Sequence, residues 1–254
     1  MGTQRTQLDD ITGKTALVTG AAGSIGAAIT RFLAEDGVRV AAVDMDLGKL
    51  QEVTGAFEGD VSPYVMDVSK EAEVAAVMKQ VRADLGDIDI LVNVAGILSN
   101  NKLMETSAEE WHKIHAVNLD GPFFLSKEVL PAMQQAGWGR IVNIASYAWK
   151  SGGKTSGTAY SSSKAAIVGL TFAVAKQAAE FGVTVNGIAP AYVMSPMVTE
   201  QLSEEQRQKM MAEIPVRRFS EPEEIANCVR FLASTMSAFI TGEIIDMNGG
   251  FQFD

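Results

Sequence analysis

Strand-like apolar runs alternate with helix-like segments along almost the whole chain, and no other feature restricts the fold as strongly. The apolar runs occupy residues 14–20, 38–44, 62–68, 87–96, 139–146, 183–190 and 242–250. Strands that are nearly all apolar are typical of a parallel sheet, because helices cover both of its faces. Since crossovers between parallel strands are right-handed, we predict an α/β fold with a doubly wound, seven-stranded parallel sheet and helices on both faces.

Helical periodicity fills the intervals between these runs. The predicted helices cover residues 24–37, 70–86, 107–137, 157–181 and 221–234, and an irregular, Met-rich stretch covers residues 191–219. The chain contains no linker-like composition, internal repeat or low-complexity tract. We therefore expect residues 1–254 to form a single domain, with residues 1–10 flexible.

The charge and the cysteine content argue against several classes of protein. The formal net charge of −10 makes nucleic acid and anionic membranes poor partners, because both require clustered Lys and Arg. No apolar run approaches the roughly 18 residues of a membrane span, and the polar N-terminus does not resemble a signal peptide. Gly2 and Thr6 fit a loose myristoylation pattern, but no polybasic patch or second lipid site accompanies them.

Cys228 is the only cysteine, so no intrachain disulfide can form and a reducing, cytoplasmic location fits best.

A glycine-rich turn, TGAAGSIG at residues 19–26, follows the first predicted strand and opens a helix. Gly20, Gly23 and Gly26 let the backbone turn tightly. They also allow a pyrophosphate to approach the helix N-terminus beside Ser24 and Ile25. Such a turn also occurs without a ligand, so the motif is weak by itself. Its place between a strand and a helix strengthens the prediction of a dinucleotide site.

Asp44 closes the second predicted strand, downstream of the glycine-rich turn. A carboxylate at this position can accept hydrogen bonds from the hydroxyls of an adenosine ribose, and it would repel a 2′-phosphate. No Arg or Lys stands in the turn or directly after Asp44, which favours NAD(H) over NADP(H). Asp44 could instead cap the following helix, and the sequence leaves that alternative open.

Tyr160 and Lys164 lie four positions apart in GTAYSSSKAAIVG, and residues at this spacing share one face of a helix. A free phenol has a pKa of about 10. A neighbouring ammonium favours tyrosinate, so Lys164 is expected to lower the pKa of Tyr160 toward the range of a general acid/base. Taken alone, these residues are explained more simply as a Tyr–Lys pair on the surface.

Other catalytic arrangements have little support in the sequence. Ser161 and Lys164 form S-x-x-K, but the S-D-N and K-T-G elements that accompany this pair are absent. The chain has no G-x-S-x-G elbow, and His112 and His115 are its only histidines. A Ser-His-Asp hydrolase and a metal site are therefore both disfavoured, and we expect no bound metal.

Five elements together make the chain resemble the short-chain dehydrogenase/reductase family. They are TGAAGSIG, NVAG at residues 93–96, Asn118 in AVNLDGPF, Ser146 in IVNIAS and YSSSK at residues 160–164, in the family's order. The match extends from about residue 11 to residue 250, and the chain length is that of the family's short, single-domain branch. The resemblance implies a Rossmann-like fold and an NAD(H)-dependent enzyme that interconverts a secondary alcohol and a ketone by hydride transfer.

The resemblance also implies roles for individual residues. Tyr160 would be the general acid/base, and Lys164 would lower its pKa and hold the nicotinamide ribose. Ser146 would hydrogen-bond the substrate oxygen, and Asn118 would hold a water that links Lys164 to solvent. The implied cofactor-binding positions are Gly20, Gly23, Ser24, Ile25, Gly26, Asp44, Asp67, Val68, Asn93, Ala95, Gly96, Tyr160, Lys164, Pro190, Val193 and Ser195.

Three positions depart from the family's pattern. Val94 replaces an asparagine of the usual NNAG, and Ala191 replaces the glycine that usually follows Pro190. Ser195 replaces a threonine but keeps the hydroxyl. None of the three is among the four catalytic positions.

The identity of the substrate is left open by the sequence, since a sugar, polyol, hydroxy acid or oxoacyl thioester would all be compatible. Residues 191–219 are predicted to form a lid, and we hypothesise that Lys150 or Lys154 meets an anionic or polyhydroxylated substrate. The resemblance implies a homotetramer, with the two long helices and the C-terminal strand in its interfaces. The alternative function is a non-catalytic NAD-binding sensor or scaffold, although such modules tend to lose the Tyr or the Lys.

Overall fold

Seven parallel strands form one sheet in the order β3-β2-β1-β4-β5-β6-β7, which confirms the predicted architecture. The computed structural model describes residues 9–153, 155–195 and 203–253. The strands are β1 (Thr15–Thr19), β2 (Arg39–Asp44), β3 (Val61–Val65), β4 (Ile90–Asn93), β5 (Gly139–Ile144), β6 (Val183–Pro190) and β7 (Ile244–Met247). The strand order reverses between β1 and β4, and parallel sheets bind ligands at the carboxyl ends of the strands beside such a switch point.

Helices lie on both faces of the sheet. They are α1 (Ser24–Glu35), α2 (Leu47–Thr54), α3 (Glu71–Leu85), α4 (Ala108–His115), α5 (Gly121–Ala136), α6 (Ala148–Ser151), α7 (Thr158–Ala178), α8 (Glu204–Glu213) and α9 (Pro222–Ala233). Helices α1 and α9 pack together on one face, and α3, α5 and α7 cover the other. Within the described ranges, no helix is both long and apolar enough to cross a membrane.

The two helical layers explain the continuous apolar runs in the sequence. Leu17 of β1 faces the layer of α3, α5 and α7, whereas its neighbours Ala16 and Val18 face α1 and α9. Successive side chains of a strand point to opposite faces, and all three of these side chains are inaccessible to solvent. A strand covered on both sides therefore has no position at which a polar residue would be favoured.

Several element boundaries differ from the sequence-based prediction. The helix expected over residues 107–137 consists of α4, a π-helical turn (Ala116–Asp120) and α5. The stretch 191–219, expected to be irregular, contains α8, while residues 196–202 lie outside the described ranges. Of the ten N-terminal residues expected to be flexible, residues 1–8 lie outside those ranges, and Asp9–Ile11 form a 3₁₀ turn. Apolar periodicity cannot distinguish an α-helix from a helix that contains one π-helical turn.

A buried ion pair joins the end of α1 to α9. The carboxylate of Asp36 accepts hydrogen bonds from Nε and Nη2 of Arg230, at 2.5 and 2.8 Å. The side chains of Asp36 and Arg230 are 1% and 8% exposed. Removing these two charges from water costs free energy, and only their mutual attraction and their hydrogen bonds offset that cost.

Arg230→Ala is expected to lower the free energy of unfolding by about 3–5 kcal/mol, because it removes the bidentate partner of a buried carboxylate. Urea denaturation measures the change. Lys127→Ala is the matched control: it breaks a pair with Glu71 in which the side chains are 63% and 60% exposed. That loss should stay below about 1 kcal/mol. Equal losses in the two variants would show that burial does not strengthen the Asp36–Arg230 pair.

Candidate active site

The glycine-rich turn joins β1 to α1 at the carboxyl edge of the sheet. Gly20 has φ +65°, in the left-handed region, and a Cβ there would lie 2.9 Å from the amide nitrogen of Ala95. A Cβ on Gly26 would overlap the carbonyl oxygen of Gly20. Gly23 is the N-cap of α1, and no side chain in the described part of the chain caps that helix end. The amides of the first turn, which begins at Ser24, are therefore left for an anion.

A cavity of ≈160 Å³ lies beside this turn and is called here the Asp44 cavity. It is built from residues that follow the carboxyl ends of β1 to β4. The predicted cofactor-binding residues in its lining are Gly20, Asp44, Asp67, Val68, Ala95 and Gly96. The fold thus brings together six positions that are far apart in the sequence, at the place predicted for the adenosine part of a dinucleotide.

Asp44 is held toward the glycine-rich turn by backbone donors. Its Oδ2 accepts a hydrogen bond from the amide of Ala22 at 3.1 Å, and its Oδ1 accepts one from the amide of Met45 at 2.8 Å. The alternative that Asp44 caps the next helix is wrong, because Asp46 is the N-cap of α2 and accepts a hydrogen bond from the amide of Lys49 at 3.0 Å. The carboxylate of Asp44 therefore lines the cavity.

A larger cavity of ≈290 Å³, the Lys164 cavity, continues the same groove toward β5 and β6. Gly96 and Ile97 line both cavities, so the two spaces adjoin at the end of β4. The predicted site residues in its lining are Ile25, Gly96, Ser146, Tyr160, Lys164, Pro190, Val193 and Ser195. The Lys164 cavity therefore unites three of the four predicted catalytic positions, Ser146, Tyr160 and Lys164, with those predicted to meet the nicotinamide.

A third space, the Ser151 cavity, adjoins the catalytic residues and measures ≈160 Å³. It shares four lining residues with the Lys164 cavity, namely Leu98, Ser146, Tyr160 and Ala191. Its wall includes the hydroxyl-bearing residues Ser146, Tyr147, Ser151, Thr155, Ser156, Tyr160 and Tyr192. A molecule held here would contact both Ser146 and Tyr160.

Tyr160 and Lys164 lie one turn apart on α7, as their spacing predicts, with Tyr160 half-buried and Lys164 buried. The Nζ atom of Lys164 lies 5.8 Å from the centre of the Tyr160 ring. It donates a hydrogen bond to the carbonyl oxygen of Ile144 at 2.7 Å, and Lys164 is only 5% exposed. The pair is therefore not a surface pair.

Burial controls the protonation of both groups. It raises the pKa of the Tyr160 phenol, and a hydrogen bond with the Ser146 side chain acts in the opposite direction. Burial also lowers the pKa of Lys164 to about 8. The net shift of the Tyr160 pKa is upward in this structure, because desolvation of the phenol outweighs its hydrogen bond with Ser146. The lowering of this pKa by Lys164 stays a prediction.

Asn118 lies in the π-helical turn between α4 and α5, and π-helical turns occur frequently at functional sites. Its side chain is buried: Oδ1 accepts from the amide of Ile97 at 2.9 Å, and Nδ2 donates to the Ile97 carbonyl at 3.1 Å and to Oγ of Ser163 at 3.0 Å. A Cβ on Gly96 would lie 3.3 Å from Oδ1 of Asn118 and 3.5 Å from Nζ of Lys164. Asn118 thus ties the segment after β4 to the catalytic helix.

Comparison with known proteins identifies this arrangement. A family model described as enoyl-(acyl carrier protein) reductase matches residues 20–252. The 3-oxoacyl-(acyl-carrier-protein) reductases FabG of Vibrio cholerae and Escherichia coli are 39% and 38% identical to the chain, covering 95% and 94% of it and 98% and 97% of their own lengths. The chain belongs to the short-chain dehydrogenase/reductase family. A crystal structure of a candidate gluconate dehydrogenase from Agrobacterium tumefaciens has a TM-score of 0.91 and 29% identity, and the match covers 97% of this chain and 98% of that one.

The three positions at which this chain departs from the residue pattern of its oxidoreductase family all lie in the groove. Val94, Ala191 and Ser195 all line the Lys164 cavity. Asn93, in contrast, does not point into it: the residue is 3% exposed, and its Nδ2 donates to Oδ1 of Asn143 at 2.8 Å. The structure therefore directs the Asn93 side chain toward β5 within the sheet, and the predicted contact of Asn93 with a cofactor stays a prediction.

Two polar contacts that organise the site were not anticipated from the sequence. The Oγ1 atom of Thr19 accepts hydrogen bonds from the amides of Val94 and Ala95, both at 3.0 Å, and so joins the end of β1 to the segment after β4. Nδ2 of Asn143 donates to Oγ1 of Thr171 at 2.9 Å and so connects β5 to α7. The sequence does contain a sign of both contacts, because Thr19 and Asn143 are polar residues in otherwise apolar strands.

Lys150 and Lys154 were hypothesised to meet the substrate. Lys150 forms an ion pair with Asp246 of β7 at 2.5 Å, and the two side chains are 15% and 20% exposed. Lys150 does not occur in the lining of the Ser151 cavity. Lys154 lies outside the described residues. The hypothesis stays a prediction.

Gly26→Ala is expected to reduce NADH affinity by more than about tenfold, because the added methyl group would displace the carbonyl of Gly20 from the turn. Fluorescence titration with NADH measures the change. Gly169→Ala in α7 is the matched control, since no atom lies within 4 Å of the position of its Cβ. That variant should bind NADH normally and gain about 0.5–1 kcal/mol of stability. Normal NADH binding by Gly26→Ala would contradict the phosphate-binding assignment.

Proposed function

We propose that the protein is an NAD(H)-dependent oxidoreductase that interconverts a secondary alcohol and a ketone, with Tyr160 as the general acid/base. The observation that carries this proposal is the position of the half-buried Tyr160 phenol. Tyr160 lines both the Lys164 cavity, which continues to the glycine-rich turn, and the hydroxyl-lined Ser151 cavity. A proton donor is thus shared by a space suited to a cofactor and a space suited to a small oxygen-bearing molecule.

The residues of the groove fit a nicotinamide dinucleotide. The backbone at Gly20 and Gly26 leaves no room for a Cβ, as a turn that approaches a pyrophosphate requires. Asp44 presents a carboxylate to its cavity, and the residue that follows it is the exposed Met45 rather than a base. The carboxylate would accept hydrogen bonds from ribose hydroxyls and repel a 2′-phosphate, which supports NAD(H) over NADP(H).

The protein's part in the reaction is to position the substrate oxygen and to move one proton. In reduction, the phenol of Tyr160 donates its proton to the oxygen of the ketone; in oxidation, the phenolate removes the proton of the alcohol. The hydroxyl of Ser146 holds the same oxygen and stabilises its developing charge. The bound nicotinamide supplies or accepts the hydride.

Lys164 and Asn118 support this proton transfer. The Lys164 ammonium is fixed by its hydrogen bond to the Ile144 carbonyl, on the same face of α7 as Tyr160. Its positive charge favours the phenolate when Tyr160 loses its proton. Asn118 holds Ile97 and Ser163 beside it, and we propose that this turn carries a water through which Lys164 exchanges protons with solvent.

The substrate classes supported by the relatives are an oxoacyl thioester and a sugar acid, the groups named for FabG and for the Agrobacterium tumefaciens protein. Sugars and polyols are the further candidate substrates.

A non-catalytic sensor or scaffold is the second candidate function, but the convergence of Ser146, Tyr160 and Lys164 on one cavity favours an enzyme. A screen of secondary alcohols and sugars with NAD⁺, followed by the absorbance of NADH, tests the proposal.

We also propose that the protein is a cytoplasmic homotetramer, with α5, α7 and β7 in its interfaces. Phe123 of α5 and Phe172 of α7 support this assignment, because they are 46% and 48% exposed in the single chain. Large exposed apolar side chains of this kind are typical of interaction surfaces. Analytical ultracentrifugation gives the oligomeric state directly.

Tyr160→Phe is expected to lower kcat/KM by about 10²–10⁴-fold, the usual contribution of a general acid/base. Because burial raises the pKa of Tyr160, the phenol keeps its proton at neutral pH. Wild-type reduction should therefore be fast at neutral pH and decline as the pH rises through that pKa, whereas oxidation should accelerate over the same range.

The control for this variant is Tyr64→Phe, which removes a phenol that hydrogen-bonds Asp84 at 3.1 Å, away from the cavities of the groove. It should retain wild-type turnover and the wild-type pH profile. Full turnover by Tyr160→Phe would refute the assigned mechanism.

Asp44→Ala is expected to shift the ratio of NADPH to NADH affinity toward NADPH by at least about tenfold, because it removes the charge that repels a 2′-phosphate. Titration of each cofactor measures the ratio. Asp46→Ala is the matched control, since it removes a neighbouring carboxylate that caps α2 and should leave the ratio unchanged. Tighter binding of NADPH than of NADH by the wild-type protein would overturn the assignment of Asp44.

A further inference from the structure

Tyr192 stands between two cavities at the end of β6. On one side lies the Ser151 cavity, ≈160 Å³, with the catalytic Ser146 and Tyr160 in its wall. On the other side lies a cavity of ≈240 Å³, called here the Arg218 cavity. Ala191 and Tyr192 are the two residues that line both. Because the side chain of Ala191 is a single methyl group, Tyr192 has the larger of the two side chains at this boundary, which is called here the partition.

Tyr192 is held in place by aromatic packing of its ring and by hydrogen bonds of the neighbouring backbone. The ring of Tyr192 packs against the rings of Phe219 and Phe251, with centroid distances of 6.0 and 6.1 Å. The carbonyl oxygen of Tyr192 accepts a hydrogen bond from the amide of Ser220 at 2.9 Å, and the amide of Met194 donates to the Ser220 carbonyl at 2.8 Å. Phe219 is 2% exposed, so the ring rests against the core.

The two cavities carry different polar groups, although apolar atoms make up most of the wall of each. The wall of the Ser151 cavity carries hydroxyl groups close to the catalytic phenol. The Arg218 cavity is lined by the charged Arg218 and Glu224 and the polar Ser220 and Asn248, together with the apolar Ile214, Val216 and Met247. A chain extending from the catalytic position could reach these apolar side chains if Tyr192 did not block it.

We propose that Tyr192 is a specificity-determining residue that ends the substrate cavity and limits the enzyme to short, oxygen-rich substrates. The volume of ≈160 Å³ equals that of about five water molecules at ~30 Å³ each. A short oxo or hydroxy compound fills this space and meets its hydroxyl groups, whereas a longer aliphatic chain meets the Tyr192 ring. This inference rests on the proposed function, because it takes the Ser151 cavity as the substrate site.

Shortening Tyr192 would join the two cavities. An aliphatic chain could then contact Ile214 and Met247, beside the 56% exposed Val216, and bury the methylenes that touch them. Each buried methylene should raise affinity by about fourfold, the equivalent of ~0.8 kcal/mol. The dependence of binding on chain length therefore reports on the partition directly.

The test is the binding of butanone, hexanone, octanone and decanone to the NAD⁺-loaded protein, measured by isothermal titration calorimetry. A ketone and NAD⁺ cannot exchange a hydride, so binding is measured without turnover. For the wild-type protein, affinity should stop rising between butanone and hexanone. For Tyr192→Ala it should continue to rise through decanone, and Tyr192→Phe, which keeps the ring, should behave as the wild type does.

A second substitution separates the joined cavity from a general loosening of the site. Val216→Phe added to Tyr192→Ala fills the Arg218 cavity and should abolish the gain for octanone and decanone. Tyr192→Leu keeps an apolar contact with Phe219 and Phe251, and it replaces Tyr192→Ala if the smaller side chain prevents folding. NAD⁺ affinity and thermal unfolding establish that each variant is folded.

An identical chain-length profile in the wild type and the shortened variants would overturn the inference, as would a gain that survives Val216→Phe. Failure of the proposed function has a different signature. In that case no alcohol or ketone is turned over by the wild type, while the binding profile still changes with Tyr192.

Discussion

All seven strands run parallel, and their carboxyl ends therefore meet at one edge of the sheet. The rest of the site depends on this constraint. Asp44 ends β2, Gly96 follows β4, Ser146 follows β5 and Pro190 ends β6, and each lines a cavity of the same groove. Because the strands are buried on both faces, their ends are the part of the sheet where backbone and side chains can meet a ligand.

Burial that stabilises the fold also sets the chemistry of the groove. Lys164 is almost completely covered by its surroundings, and its ammonium is held by the carbonyl of Ile144. The same lack of solvent lowers the pKa of Lys164 to about 8 and raises the pKa of Tyr160. A phenol that keeps its proton at neutral pH can act as an acid, as the proposed mechanism of reduction requires.

Much of the fold and of the candidate site could be predicted, because the relevant signals are local. Continuous apolar runs mark strands covered on both sides, and the predicted strand positions agree with the sheet to within a few residues. The glycine-rich turn and the Tyr160–Lys164 spacing depend on backbone geometry within a few residues. The π-helical turn around Asn118 and the inward position of Asn93 could not be predicted, because hydrogen bonds from distant residues determine both.

The sequence by itself determined the parallel α/β architecture, the glycine-rich turn and the face of α7 that carries Tyr160 and Lys164. These follow from apolar periodicity, from the lack of a Cβ at glycine and from the pitch of a helix. Only the tertiary structure decided the direction in which the pKa of Tyr160 shifts and the place of Tyr192 between two cavities. Solvent exposure and cavity walls arise from packing between segments that are distant in sequence, and no local pattern encodes them.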